Sequence, residues 1–133
     1  MVRLNRRSFM LFSIGGLFSG VKPLMSIEKI DMSDTEWQSI LNEQEYYVLR
    51  KHGTERPGSS ILNDEKREGI YQCAGCDLPL FSSEMKFDSG TGWPSFFDYL
   101  PKALAFKTDF KLVFPRKEYH CAQCEGHHGH VFN

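Results

Sequence analysis

Two C-x-x-C pairs constrain this chain more than any other feature: Cys73-Ala74-Gly75-Cys76 and Cys121-Ala122-Gln123-Cys124, with residues 77 to 120 between them. A C-x-x-C turn points two thiolates to one side of a tight loop, the bite a tetrahedral metal requires. Two such knuckles close a four-cysteine site with Zn–S bonds of about 2.3 Å. Any fold must therefore bring two distant stretches of chain to one point. The reading is one structural zinc ion per chain, held by Cys73, Cys76, Cys121 and Cys124, because four thiolates leave no coordination position for a substrate. A rubredoxin-like iron and a pair of dithiol redox centres are the alternatives that ligand type leaves open. A metal there engages every cysteine of the sequence.

The two ends of the chain differ in texture. Residues 1 to 26 carry Arg3, Arg6, Arg7 and Lys22 and no acidic residue. An apolar run from Phe9 to Phe18 follows the arginines, of signal-peptide length and too short to span a bilayer, which takes about 20 apolar residues. Asn5-Arg6-Arg7-Ser8-Phe9-Met10 resembles a bacterial twin-arginine export signal, which implies export to the periplasm. An amphipathic or anchoring N-terminal helix is the alternative. Without residues 1 to 26 the net charge moves from -1 to -5, so an acidic domain over residues 27–133 has no basic face for nucleic acid. That domain is of ordinary globular composition, 41% hydrophobic and 25% charged over the chain, and one domain is what 133 residues accommodate.

Within 27–133, Ser33-Asp34-Thr35-Glu36 has the form of a capping box, with Trp37, Ile40 and Leu41 at helical spacing behind it. A second helical stretch runs from Glu43 to Lys51, packing Tyr46, Tyr47 and Leu49 and ending at Gly53. From Gly69 onward short strands alternate with turns. Ile70-Tyr71-Gln72 leads into Cys73. Phe110 to Phe114 reads as a strand paired with Lys117–His120 across Pro115-Arg116, and His130-Val131-Phe132 as the start of another. The expectation is a small helical N-terminal piece leading into a mainly β domain.

Two further segments carry chemistry. Phe87 to Phe97 is dense in Gly, Pro and aromatics, around Gly90-Thr91-Gly92-Trp93-Pro94. It is either a tight loop whose Trp93 plugs the core or a shallow aromatic pocket for a small apolar group. His127, His128 and His130 directly follow the second knuckle and are either a solvated loop or a site.

Together these segments closely resemble the B-type methionine-R-sulfoxide reductases. The matching pieces are Tyr46–Arg50, Gly53–Pro57, Gly69–Cys76, Lys86–Phe96, Glu118–Cys124 and Gly126–Phe132, of which Gly92-Trp93-Pro94-Ser95-Phe96 and Gly129-His130-Val131-Phe132 are the most specific. The resemblance implies two small antiparallel β-sheets with short N-terminal helices and zinc on the four cysteines. It implies reduction of methionine-R-sulfoxide in proteins or peptides to methionine, with a thioredoxin-like reductant; the chain is expected to be a monomer. Carried over by position, Trp93 cradles the sulfoxide methyl group, while His127 and His130 orient the sulfoxide oxygen through water and help it accept protons.

The chain departs from the family pattern in four places. Family members place a nucleophilic Cys or selenocysteine in an Arg-x-Cys-x-Asn motif beyond the His-Val-Phe element, and these 133 residues stop before it. Thr91 stands where many members have a resolving Cys, Gly58 where an aromatic is usual, and His128 where an uncharged residue is usual. The expectation is a C-terminally truncated domain that binds zinc and has little reductase activity. The alternative is a non-catalytic, zinc-stabilised binding module that retains the sulfoxide pocket.

Overall fold

The computed structural model describes residues 1–5 and 26–132. Ser33 begins the ordered helical piece as the sequence requires. Its side chain accepts from the Glu36 backbone N–H at 3.3 Å, and the Glu36 carboxylate accepts from the Ser33 backbone N–H at 2.7 Å. The helix α1 spans Asp34–Ile40 and α2 spans Glu43–Lys51, the second opened by an equivalent box between Asn42 and Glu45. Trp37, Leu41, Val48 and Leu49 are the buried apolar residues of this pair, whereas Ile40 and Tyr47 are exposed. The residue ending α2 is His52, in the left-handed conformation at φ 55°. Gly53 follows for a different reason than termination: a Cβ there would run into the Tyr47 ring.

Among the described residues eight short strands follow the mainly β expectation, but they form three antiparallel sheets rather than two. The first joins β1 (Val2–Asn5), β2 (Ile70–Cys73) and β3 (Pro79–Ser82); the second is the small pair β4 (Lys86–Phe87) and β5 (Ser95–Phe96). The third is a meander of β6 (Leu104–Asp109), β7 (Arg116–Cys121) and β8 (His127–Val131). The additional sheet, β4 with β5, closes the Gly-rich aromatic segment into a hairpin-like pair, Lys86 opposite Phe96 and Phe87 opposite Ser95.

Two expectations are corrected. Phe110 to Phe114 is a loop, not a strand; β6 lies just upstream and pairs Asp109 with Arg116. Asp109 ends the strand by accepting from the Lys111 backbone N–H at 2.9 Å, an Asx-type turn, and from Arg116 at 2.8 Å. The third strand starts at His127, not His130. Val2–Asn5 pairs with β2, Val2 opposite Cys73 and Leu4 opposite Tyr71. Arg6, Arg7 and the apolar run read as an export signal lie outside the described residues. Among the described residues no helix is long and apolar enough to cross a membrane.

The core runs through the junction of the first and third sheets. Trp37, Leu41 and Leu49 from the helices meet Tyr71, Leu80 and Phe81 from the first sheet, with Cys73, Cys121 and Cys124 in the same cluster. Phe96 stacks on Phe81 at 4.1 Å and meets Tyr71 edge-on at 5.0 Å, carrying the β5 strand onto this core.

Candidate functional site

The two C-x-x-C turns have one geometry. In the first, Cys73 N–H donates to Leu78 O and Asp77 N–H returns to Cys73 O; in the second, Cys121 N–H donates to Gly126 O and Glu125 N–H returns to Cys121 O. Asp77 and Glu125, each directly after the second cysteine, both take the left-handed conformation at φ 62°. The knuckles end β2 and β7, and the four sulfurs lie within 4.8 Å of one another. Cys73 and Cys124 sulfurs are 3.6 Å apart, Cys76 and Cys121 sulfurs 3.5 Å. A tetrahedron with bonds of about 2.3 Å has edges of about 3.8 Å, so the spacing suits one metal ion and is far too long for disulfides. Hydrogen bonding to the Cys121 and Cys124 sulfurs pushes the Cys73 and Cys76 thiols up, and burial adds to this. A divalent cation would displace the thiol protons and balance the charge of the four thiolates.

The surroundings brace this cluster. Arg50 lays its guanidinium over the Trp37 ring at 4.6 Å and donates to Cys124 O at 2.7 Å, tying α2 to the second knuckle. His128 sits between the N-terminal amine, 2.9 Å from its Nδ1, and the Cys73 sulfur, 3.3 Å from its Nε2. His128 therefore belongs to the sulfur cluster and not with its neighbours.

His127 and His130 go elsewhere, and a β-bulge is the cause. Residues three apart on a regular strand face opposite sides. On β8, Gly129 pairs with Tyr119 but His127 pairs with His120, so two residues of β8 span one step of β7. The extra residue restores His127 and His130 to one side, and their rings lie 5.4 Å apart. There they meet a carboxylate each. His127 Nδ1 is 2.9 Å from Glu118 Oε1, and His130 Nε2 is 2.7 Å from Asp109 Oδ2. His52 Nδ1 reaches the same Glu118 oxygen at 3.1 Å, and Lys107 Nζ lies 3.6 Å from it.

The charge states follow from these contacts. Burial lowers His127 from its ordinary imidazole value, and Glu118 pulls it partly back. Burial opposes the Glu118 carboxylate too, yet His127, Lys107 and His52 hold it below the usual carboxylate range. The Lys111 backbone N–H, then His130 and Arg116, hold Asp109 well below that range.

Trp93 lies half-buried on the loop before β5, its indole N–H donating to Glu55 O at 2.8 Å. Gly92 carries the adjoining contact: its carbonyl accepts from Gly58 N–H at 2.7 Å and from Asn63 at 3.0 Å. At φ +91°, with Pro57 and the Gly58 backbone 3.0 Å from where a Cβ would stand, this position tolerates only glycine. A cleft of about 270 Å³ opens beside Trp93, bounded by Asn63, Lys86, Asp88 and Pro94. Trp93 stands outside the buried core cluster, and its indole bonds to Glu55 and not to the carboxylates that hold the histidine pair. The link between them is the short stretch His52–Glu55, whose first residue meets Glu118 and whose last holds the indole. Thus the structure brings together the four cysteines, and separately His127 with His130.

Sequence reasoning missed Glu118, Asp109 and His52. Glu118 offered one signal: it sits between Arg116 and His120 in a strand whose alternate residues share a face. Asp109 offers none, because the alternation of Phe110, Leu112 and Phe114 places the strand downstream of it.

Comparison with known proteins places these features. Residues 41–133 match the SelR domain family. The chain is 48% identical over 107 residues to "Peptide methionine sulfoxide reductase MsrB" of Pseudomonas entomophila, covering 80% of this chain and 82% of that protein. It is 46% identical over 109 residues to the protein of the same name from Methanosarcina mazei, covering 81% and 78%. With "Peptide methionine sulfoxide reductase B1, chloroplastic" of Arabidopsis thaliana it shares 40% over 132 residues, 95% of this chain and 65% of that protein.

Proposed function

This chain belongs to the MsrB family of peptide methionine sulfoxide reductases, and from that premise we propose that it takes the R epimer of methionine sulfoxide in proteins or peptides. Trp93 forms the aromatic wall for the sulfoxide methyl. His127 and His130 hold the sulfoxide oxygen through water and supply its protons. Zinc on Cys73, Cys76, Cys121 and Cys124 is structural and joins the first and third sheets, and a thioredoxin-like protein is the reductant. The observation that carries this reading is the bulged β8 strand, which puts two imidazoles backed by carboxylates on one side.

Reduction needs a thiolate that attacks the sulfoxide sulfur; the oxygen leaves with the thiol sulfur as a sulfenic acid, methionine is released, and one proton is consumed. Each of the four cysteines lies in the sulfur cluster. The 133 residues by themselves therefore bind sulfoxide without turning it over unless a further thiol is supplied. That is also why a second reading stands beside the first: a zinc-stabilised module that recognises methionine sulfoxide without reducing it. The paired Arg6-Arg7 before an apolar run supports export by the twin-arginine route in either case.

Calorimetric titration of the zinc-loaded chain with N-acetyl-methionine-R-sulfoxide tests the proposal. Saturable binding that is lost in Trp93→Ala supports the pocket; no binding to the intact, zinc-loaded chain overturns it. Turnover of the same compound by these 133 residues with a dithiol overturns the claim that every thiol is committed to metal.

A further inference from the structure

Glu118 and Asp109 are buried carboxylates for which neither the zinc site nor the aromatic cleft has a use. Glu118 is 4% exposed and Asp109 7%, and buried carboxylates persist only where paired. Their partners are the histidines of the proposed sulfoxide site. Glu118 Oε1 stands 2.9 Å from His127 Nδ1 and 3.1 Å from His52 Nδ1. Asp109 Oδ2 stands 2.7 Å from His130 Nε2, and Arg116 and the Lys111 backbone N–H fix that carboxylate from the other side.

A neutral imidazole carries its hydrogen on one nitrogen and a lone pair on the other. His130 Nε2 is hydrogen-bonded to Asp109, whereas His127 Nδ1 stands 2.9 Å from Glu118 without the alignment of a hydrogen bond. A bare, electron-rich nitrogen this close to a carboxylate oxygen is repulsive in either case, so the nitrogen at each contact is the one that bears hydrogen. The two contacts use opposite nitrogens. His127 is thereby held with hydrogen on Nδ1 and a bare Nε2, and His130 with hydrogen on Nε2 and a bare Nδ1. Because both rings lie on one side of the bulged strand, the arrangement fixes which nitrogen of each histidine can take up a proton and pass it on.

We propose that Glu118 and Asp109 are positioning residues that hold His127 and His130 in opposite tautomers, as a prepared pair of proton carriers for the sulfoxide oxygen. This rests on the sulfoxide reading for its purpose but not for its geometry. Glu118 serves two rings, so its loss releases His52 and His127 together, whereas loss of Asp109 releases His130 alone.

The test is two-dimensional ¹⁵N–¹H imidazole spectroscopy of the zinc-loaded chain at a pH where the histidines are neutral. The expected spectrum has the bare-nitrogen signal on Nε2 of His127 and on Nδ1 of His130. In E118Q the His127 pattern gives way to a mixture while His130 is unmoved, and in D109N the reverse holds. The opposite tautomer at either histidine in the unaltered protein overturns the proposal without any variant, as do unchanged patterns in folded E118Q and D109N. Sulfoxide binding is read separately. Correct tautomers with no binding leave the positioning intact and sink the sulfoxide reading; binding with reversed tautomers sinks the positioning alone.

Discussion

His127 shows how one residue's surroundings fix both its chemistry and its contribution to stability. Burial lowers its pKa below the ordinary 6.5, as it does for His120 on the neighbouring strand. Both imidazoles therefore bind a proton more readily in the unfolded chain, so their contribution is full above pH 6.5 and is lost as pH falls. Glu118, held below its ordinary 4.5, adds stability that is present above that value and is lost as pH falls further. Melting temperature at constant zinc should then decline in two stages on acidification, the first beginning near pH 6.5. A flat profile between pH 7 and 5.5 contradicts the burial of these rings. Trp37 is the second residue to probe. It is 1% exposed, shares the core cluster with Leu49 and carries the guanidinium of Arg50 over its ring. Trp37→Ala should cost about 3–5 kcal/mol by denaturant unfolding, and a loss below 1 kcal/mol would show that the helices do not support the core.

Among the elements, local rules spoke clearly where local interactions decide the outcome. The Ser33–Glu36 box fixed the start of α1, and the C-x-x-C spacing fixed two knuckles of one geometry. Where tertiary context decides, sequence was a poorer guide. Phe110, Leu112 and Phe114 alternate as a strand does, yet the chain reverses there because Asp109 closes a turn onto Lys111 and pairs with Arg116. The bulge in β8 is equally silent in sequence: His127 and His130 are three apart, and only their unequal pairing with β7 shows that they share a side. The β6–β7 loop also carries a consequence for solubility. Phe110 and Phe114 are 77% and 79% exposed and Val113 is 93% exposed, a cluster that promotes association. Val113→Ser with Phe114→Ser should raise the concentration at which the zinc-loaded chain stays monodisperse in light scattering, with the melting temperature unchanged. A drop in melting temperature would mean that this loop is packed and not free.

For the whole molecule, the sulfur cluster is the joint. One knuckle ends the first sheet, the other ends the middle strand of the third, and the helices pack over both through Leu49, Trp37 and Arg50. A metal there would do what a few short strands cannot do alone, since small sheets bury little apolar surface. Apparent binding energies of structural zinc are about 10–16 kcal/mol in small zinc-folded peptides, comparable to the full stability of a domain. Removing the metal with a strong chelator, with the thiols kept reduced, should therefore abolish cooperative unfolding, and one equivalent of zinc should restore it. A cooperative transition in the metal-free chain would show the cluster to be dispensable.

The proposed function stands or falls with a sulfoxide site built from Trp93 on one side and the carboxylate-backed pair His127 and His130 on the other. The decisive comparison sets the two epimers of N-acetyl-methionine sulfoxide against the zinc-loaded chain in equilibrium titrations. The expected result is saturable binding of the R epimer, weaker binding of the S epimer by at least about tenfold, or about 1.4 kcal/mol, and loss of that preference in Trp93→Ala. Equal affinity for both epimers, or a preference that survives Trp93→Ala, would contradict it.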